Sequence, residues 1–282
     1  MRNGHFTRAS LSCLLCIALF LAGCTINVGG CAMNAKHQKT VRLSAAMSPG
    51  STFTAQTHNG YIKTNGADVT DCSLVATITA RARTEEEAIE LAEKVEVSLE
   101  PFGDKMTVKI RKPTNLVNKS VGVSLDVTIP NRTDLELVTH NGSVKVADIT
   151  GRVNAKTHNG KVTTDRVSGA VVLETHNGSI SCMDVVDEIK LKTHNGGVKA
   201  FYADSAESVG AISIITHNGS IELATPPDLS AKIEAKTNNG SINTDLPITV
   251  SGKVSKNRLT GTIGSGEGRL YLETHNGSIR LR

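Results

Sequence analysis

Short runs of alternating apolar and polar residues recur along the second half of the chain. After successive Asn-Gly pairs come Val144/Val146, Val162/Thr164, Ile180/Cys182 and Val198/Ala200. Before successive Thr-His pairs come Val153/Ala155, Val171/Leu173 and Ile189/Leu191. Alternation with a period of two marks strands that bury one face. The runs return in register every 18 residues, and Gly142, Gly151, Gly160, Gly169 and Gly178 split each period into halves of nine. Asp187 takes the next slot and Gly196 the one after. This pattern predicts two strands per coil, with coils stacked into a solenoid. A single coil cannot bury its apolar face, and stacked neighbours do so. A meander of hairpins is the competing arrangement, because Asn-Gly is also a strong hairpin signal. Hairpins would mirror the pattern across each turn, whereas here it repeats without inversion.

The turn between the halves carries a motif. Thr-His-Asn-Gly begins at Thr57, Thr139, Thr157, Thr175, Thr193, Thr216 and Thr274, and Thr237 begins a copy with Asn238 in place of His. Parity puts Thr157 on the core side with Val153 and Ala155, and His158 on the outside with Lys156. Asn159 is expected to turn inward again at the corner and to bond the backbone or its stacked copies. Gly160 is expected to supply a positive φ. The same roles fall to Asn141 and Gly142, Asn177 and Gly178, and Asn195 and Gly196. Lys156, Glu174 and Lys192 alternate in sign on successive coils, which suits pairing across an exposed face. Cys182 falls in a core slot and reads as a buried, inert thiol.

The periodicity is interrupted between about residues 72 and 130. Leu74–Ala82 reads as a strand, and Thr84-Glu-Glu-Glu87 is a capping box that opens a helix. Ala88, Leu91, Ala92, Val95 and Leu99 form its apolar stripe, with Pro101 and Gly103 as the stop. Strands follow at Met106–Ile110 and Val121–Ile129. This small α/β insertion is placed to cap one end of the stack.

The first residues read as an address. Arg2 and Arg8 precede an apolar run from Leu11 to Leu21, which is too short to span a bilayer comfortably. Its ending, Leu21-Ala-Gly-Cys24, resembles the lipobox of bacterial lipoproteins. That resemblance implies removal of residues 1–23 as a signal peptide and diacylation of Cys24. Thr25 is not the Asp that retains such lipoproteins at the inner membrane, so the resemblance implies the outer membrane. Residues 24–40 are then the lipidated Cys and a tether, and 41–282 the solenoid domain. Of the other cysteines in the mature chain, Cys31 and Cys72 are the candidate disulfide pair in an oxidising envelope.

The run T-x-T-A-R-A-x-T-E-E-E-A over residues 77–88, the Pro-led strands and the repeated T-x-N-G-x-[IV] together resemble the bacterial "putative adhesin" family, across about residues 41–282. Family members have no defined function and adopt β-helix-like folds. The resemblance implies an all-β fold, a right-handed parallel β-helix or β-solenoid, here with coils of about 18 residues. It implies an envelope protein. Where the family commonly has a small residue, this chain has His.

Composition narrows the partners. The chain has 282 residues and a formal net charge of +4, and removal of Arg2 and Arg8 leaves it nearly neutral. Trp is absent and aromatic residues make up 3% of the chain. That offers no basic patch for nucleic acid and no platform for stacking bases. Seven of the nine His lie in the repeat. His140, His158, His176 and His194 sit on consecutive coils about 4.8 Å apart, with His58, His217 and His275 as candidate extensions. Such a row could act as scaffold, as a metal site or as a pH-sensitive surface; stacked imidazoles should titrate below the reference of about 6.5. No Cys, Asp or Glu directly follows the motif to complete a metal shell. A polysaccharide-active β-helix enzyme is the third alternative, but the repeats stack no pair of carboxylates. The reading is therefore a non-catalytic lipoprotein without cofactor. Its partners would be the membrane, through its lipid, and a surface polymer or protein, held by many weak contacts.

Overall fold

The computed structural model describes residues 35–207, 209–250 and 255–282, together with a two-residue strand at Leu19–Phe20. Cys24 and Cys31 lie outside the described residues.

Two sheets of twelve strands face each other across one core. Each coil runs up a strand in one sheet, turns at Asn-Gly and returns through the other. Val153–Asn159 and Val162–Val167 form one coil, and Val171–Asn177 and Ile180–Val185 the next. Coils pair in parallel, Val153 beside Val171 and Val162 beside Ile180, which is the 18-residue register. The fold is the expected β-solenoid. Val153, Ala155, Val162, Leu173, Cys182 and Ala200 are fully buried. Side chains this small let the two sheets close on a thin core. Burying a Val or Leu contributes about 1.5–3 kcal/mol.

Among the Thr rungs, spatial order departs from chain order at one end. The eight Thr rungs stack as Thr57, Thr139, Thr157, Thr175, Thr193, Thr216, Thr274 and Thr237. Strand Gly268–Asn276 lies between Ala211–Asn218 and Ala231–Asn239, and Ile279–Leu281 makes the matching insertion in the opposite sheet. The chain first lays down the outermost coil. It then runs back along it as Arg258–Ile263, antiparallel to Ala231–Lys236, and fills the gap with its last strands.

The other end is built by residues 35–130. Strands Asp71–Ala82 and Ser120–Pro130 extend one sheet, and Lys105–Arg111 and Glu96–Phe102 extend the other. The helix Glu85–Glu93 packs on the first of these and on strand Ala35–Ala46. Thr84 caps it as expected, Glu87 N donating to Thr84 Oγ1 at 3.2 Å, while the Glu87 carboxylate accepts from Arg83 N at 3.3 Å, one residue before the cap. The helix is shorter than the stripe predicts. It stops at Glu93, and Leu99 is buried from strand Glu96–Phe102 instead. Strand Ala35–Ala46 pairs antiparallel with Asp71–Ala82 and takes in residues 35–40, which read as tether from sequence.

Cys72 is a buried free thiol in this end structure, and no disulfide to Cys31 belongs to the described residues. Burial pushes both Cys72 and Cys182 up to about 12. Thr164 Oγ1 donates to Cys182 Sγ at 3.0 Å across one coil step.

A second periodic feature escapes the sequence reading. Asp148, Arg166 and Asp184 adopt left-handed φ of 59°, 52° and 49°, one per coil at the corner opposite the motif. That conformation costs a residue with a Cβ about 1–2 kcal/mol. Arg166 offsets part of it by donating through Nε and Nη2 to the two carboxylate oxygens of Asp148, at 2.6 and 3.0 Å.

Candidate interaction surface: the histidine row

Each letter of the Thr-His-Asn-Gly motif has a separate physical task. The Thr side chains point inward and are buried. Thr157 Oγ1 donates to the carbonyl of Gly142 at 2.8 Å, Thr175 to Gly160 at 3.0 Å and Thr193 to Gly178 at 2.8 Å. Each hydroxyl thereby ties its strand to the turn of the preceding coil. Thr57 has no preceding turn and donates to Val123 O at 2.8 Å.

The Asn amides form a second ladder. Asn159 Nδ2 donates to Asn141 Oδ1 at 2.7 Å and Asn177 Nδ2 to Asn159 Oδ1 at 2.8 Å, and the series continues through Asn195, Asn218, Asn276 and Asn239. Asn141, Asn159, Asn177 and Asn195 do bond their stacked copies. They are exposed rather than turned into the core, because the strand ends there and the corner faces solvent.

The reason for Gly also differs from the expectation. Gly142, Gly160 and Gly178 are not among the positive-φ residues. A Cβ on any of them would collide with the carbonyl oxygen of the turn glycine one coil before. Close stacking of backbone, and not a left-handed bend, excludes a side chain at these three. Gly196 combines the same collision with φ 159°.

The His rings point outward and stack. His58, His140, His158, His176, His194, His217 and His275 form one unbroken row, with centroids 4.7–4.8 Å apart and planes within 5°. All three candidate extensions belong to it. Asn238 of the last coil closes the row through an amide contact to His275 Nδ1 at 2.8 Å. Burial holds the His194 imidazole below the usual histidine range, with a further contribution from His176 and His217 on either side.

Beside the rings runs a second row, two residues earlier on each strand. In stacking order it reads Gln56, Val138, Lys156, Glu174, Lys192, Ile215, Glu273 and Lys236. Lys156 pairs with Glu174 at 3.6 Å and Lys236 with Glu273 at 3.4 Å. Lys192 has no ion pair among the described residues. From His158 to His275 the two rows bound a shallow trough of about 680 Å³.

The rings of His140, His158, His176 and His194 lie parallel, with neighbouring centroids 4.8 Å apart. Among the described residues, no group of three or more His, Cys, Asp and Glu side chains is placed to hold an ion. No helix among them is long and apolar enough to cross a membrane.

Residues 37–282 match the family model of Toastrack DUF4097. The chain belongs to the Toastrack DUF4097 family. Structural neighbours of low identity are found among solved structures. One is a "putative cell adhesion protein" from Clostridium sporogenes, 15% identical over 86% of this chain and 99% of that one, with a TM-score of 0.34. A "putative adhesin" from Bacteroides fragilis is 11% identical over 86% and 97%, with a TM-score of 0.39. Another from Parabacteroides distasonis is 10% identical over 87% and 97%, with a TM-score of 0.39. No curated protein matches this Toastrack chain.

Proposed function

We propose that this Toastrack protein is a lipid-anchored envelope protein whose motif-bearing sheet is an adhesive surface without catalysis. One observation carries this reading: seven stacked imidazoles run beside a parallel row in which Lys156, Glu174, Lys192, Glu273 and Lys236 are charged. The buried hydroxyls, the amide ladder and the close-stacked turns use only the Thr, Asn and Gly of the motif. The His side chain contributes to neither hydrogen-bonded ladder, apart from the contact that closes the row at Asn238. A face that repeats one chemistry on successive coils suits a repeating ligand, because multiple weak contacts add as avidity.

Anchoring is proposed to run through Cys24 at the outer membrane, with the 25–34 segment linking the lipid to strand Ala35–Ala46. Ten residues reach at most about 33–36 Å. The capped end built by residues 35–130 would then lie nearest the membrane, and the coils would project from it.

Cosedimentation of the full protein with isolated envelope polymers tests the reading. Changes on the motif face, His176→Asn with Lys192→Glu, should weaken cosedimentation. Changes on the outer face of the opposite sheet, such as Lys145→Glu, should not. Equal loss from both faces, or no cosedimentation with any polymer, would overturn it.

A further inference from the structure

We propose that the trough beside the histidine row is an acid-switched site for a linear polyanion, namely an extended polysaccharide bearing carboxylates. This rests on the adhesive reading above and adds to it a ligand class and a control.

Six consecutive spacings of 4.7–4.8 Å carry the rings across roughly 29 Å, one exposed imidazole per coil. At neutral pH the fixed charges beside them nearly cancel. On the same strands Lys156, Lys192 and Lys236 stand against Glu174 and Glu273, and two of the three lysines are already paired. Lys161 lies at the turn after His158. At the first coil, strand Lys105–Arg111 pairs with Thr52–Asn59 only as far as Ala55 and Val108. Where the two diverge, Lys109 and Lys112 line a cleft with His58 and His140, and no carboxylate lines it.

Acidification changes this balance. Each ring that protonates adds one positive charge, and neighbouring rings are closer than the Debye length of about 8 Å. The charges therefore sum into a strip. Like charges one strand apart oppose each other's protonation. A polyanion lying along the strip relieves that opposition, so binding and proton uptake promote each other. Each imidazolium N–H also makes a charge-assisted bond to a carboxylate.

The shape selects a polymer over a small anion. The trough is open and repetitive, so a single carboxylate would meet one or two rings only. An extended polysaccharide with a charge on each sugar meets many, and gains by multivalency. Nucleic acid is disfavoured because, among the described residues of the motif-bearing strands, Tyr271 is the one Phe, Tyr or Trp that is not buried.

The test uses the full protein with polygalacturonate as probe and dextran as the neutral polymer, by calorimetry at about pH 5 and about pH 7.5 with constant salt. Binding of polygalacturonate should be about tenfold or more tighter at the lower pH. His158→Asn/His176→Asn/His194→Asn places at three coils the residue that the eighth coil already carries. This variant should keep the wild-type circular dichroism and lose most of the pH dependence. His176→Asn alone serves if the triple variant does not fold, and should lose part of it. No binding of polygalacturonate at either pH, or an equal gain on acidification in the variant, would overturn the proposal. Equal binding of dextran would overturn the polyanion class and leave the adhesive reading standing. Failure of every polymer to bind this face would overturn both.

Discussion

The Nδ2 amide of Asn238 donates to Nδ1 of His275 at 2.8 Å, although the two residues are 37 positions apart. The contact exists because the last strands slot between the coils of Thr216 and Thr237. It requires the neutral His275 ring to carry its proton on Nε2. Nitrogen NMR of the ring should show an unprotonated, hydrogen-bonded Nδ1 for His275 at neutral pH. Asn238→Ala should remove that bond. A His275 protonated at Nδ1 in the wild type would mean that the Asn238 amide presents Oδ1, not Nδ2, to the ring.

The buried Thr hydroxyls give the second prediction. Thr175→Val keeps the shape and deletes the 3.0 Å bond to Gly160 O. A buried hydrogen bond contributes about 0.5–1.5 kcal/mol, so urea unfolding should show a loss of that size. Thr175→Ser keeps the hydroxyl and should retain the bond. A loss for Ser with none for Val would mean that the methyl group matters and the hydroxyl does not.

Turn glycines provide the third. Gly160→Ala places a Cβ against the carbonyl of Gly142 and the amide nitrogen of Ser143, both of them backbone. Overpacking of this kind costs about 1–3 kcal/mol. At Gly197 the nearest atom to an added Cβ is Ser220 O at 3.3 Å, so Gly197→Ala should cost clearly less. Thermal melts of the two variants, read side by side, check the difference.

The row also makes stability depend on pH. The folded His194 ring sits below its ordinary value, so between about 6.5 and that lowered value the unfolded chain binds more protons than the folded one. Stability present above about pH 6.5 is therefore lost as the pH falls through that window. Melting temperatures should drop on acidification, and less steeply in His194→Asn. A variant with the same acid slope as the wild type would place the sensitivity elsewhere.

Thiol chemistry gives the fifth. Cys72 and Cys182 are buried, and both are pushed up to about 12 by desolvation. Neither should react with a thiol reagent at neutral pH in the native protein, and both should react in denaturant. Rapid native labelling of Cys182 would show that the coils open.

Much of this architecture is legible in the sequence. The 18-residue period sets the coil, and parity alone places Thr157 inside and His158 outside. Their stacking follows, because equivalent residues of stacked coils must align. What stays hidden depends on backbone proximity or on order in space. Gly142 and Gly160 read as turn formers, yet their constraint is the carbonyl of the coil before. Leu99 fits a helical stripe by spacing and packs from a strand, since residues 96–102 pair with 105–111. Nothing local marks Thr274 as the neighbour of Thr216, because the inserted strand carries the same motif as the coils on either side. The left-handed corners at Asp148, Arg166 and Asp184 have no glycine to announce them.

The histidine face is the proposed binding surface. Its most direct test is the histidine ring NMR spectrum of the protein as isolated envelope polysaccharide is added. The resonances of His158, His176 and His194 should shift together while His37, outside the row, stays still. Binding that leaves all seven row resonances unmoved would contradict it.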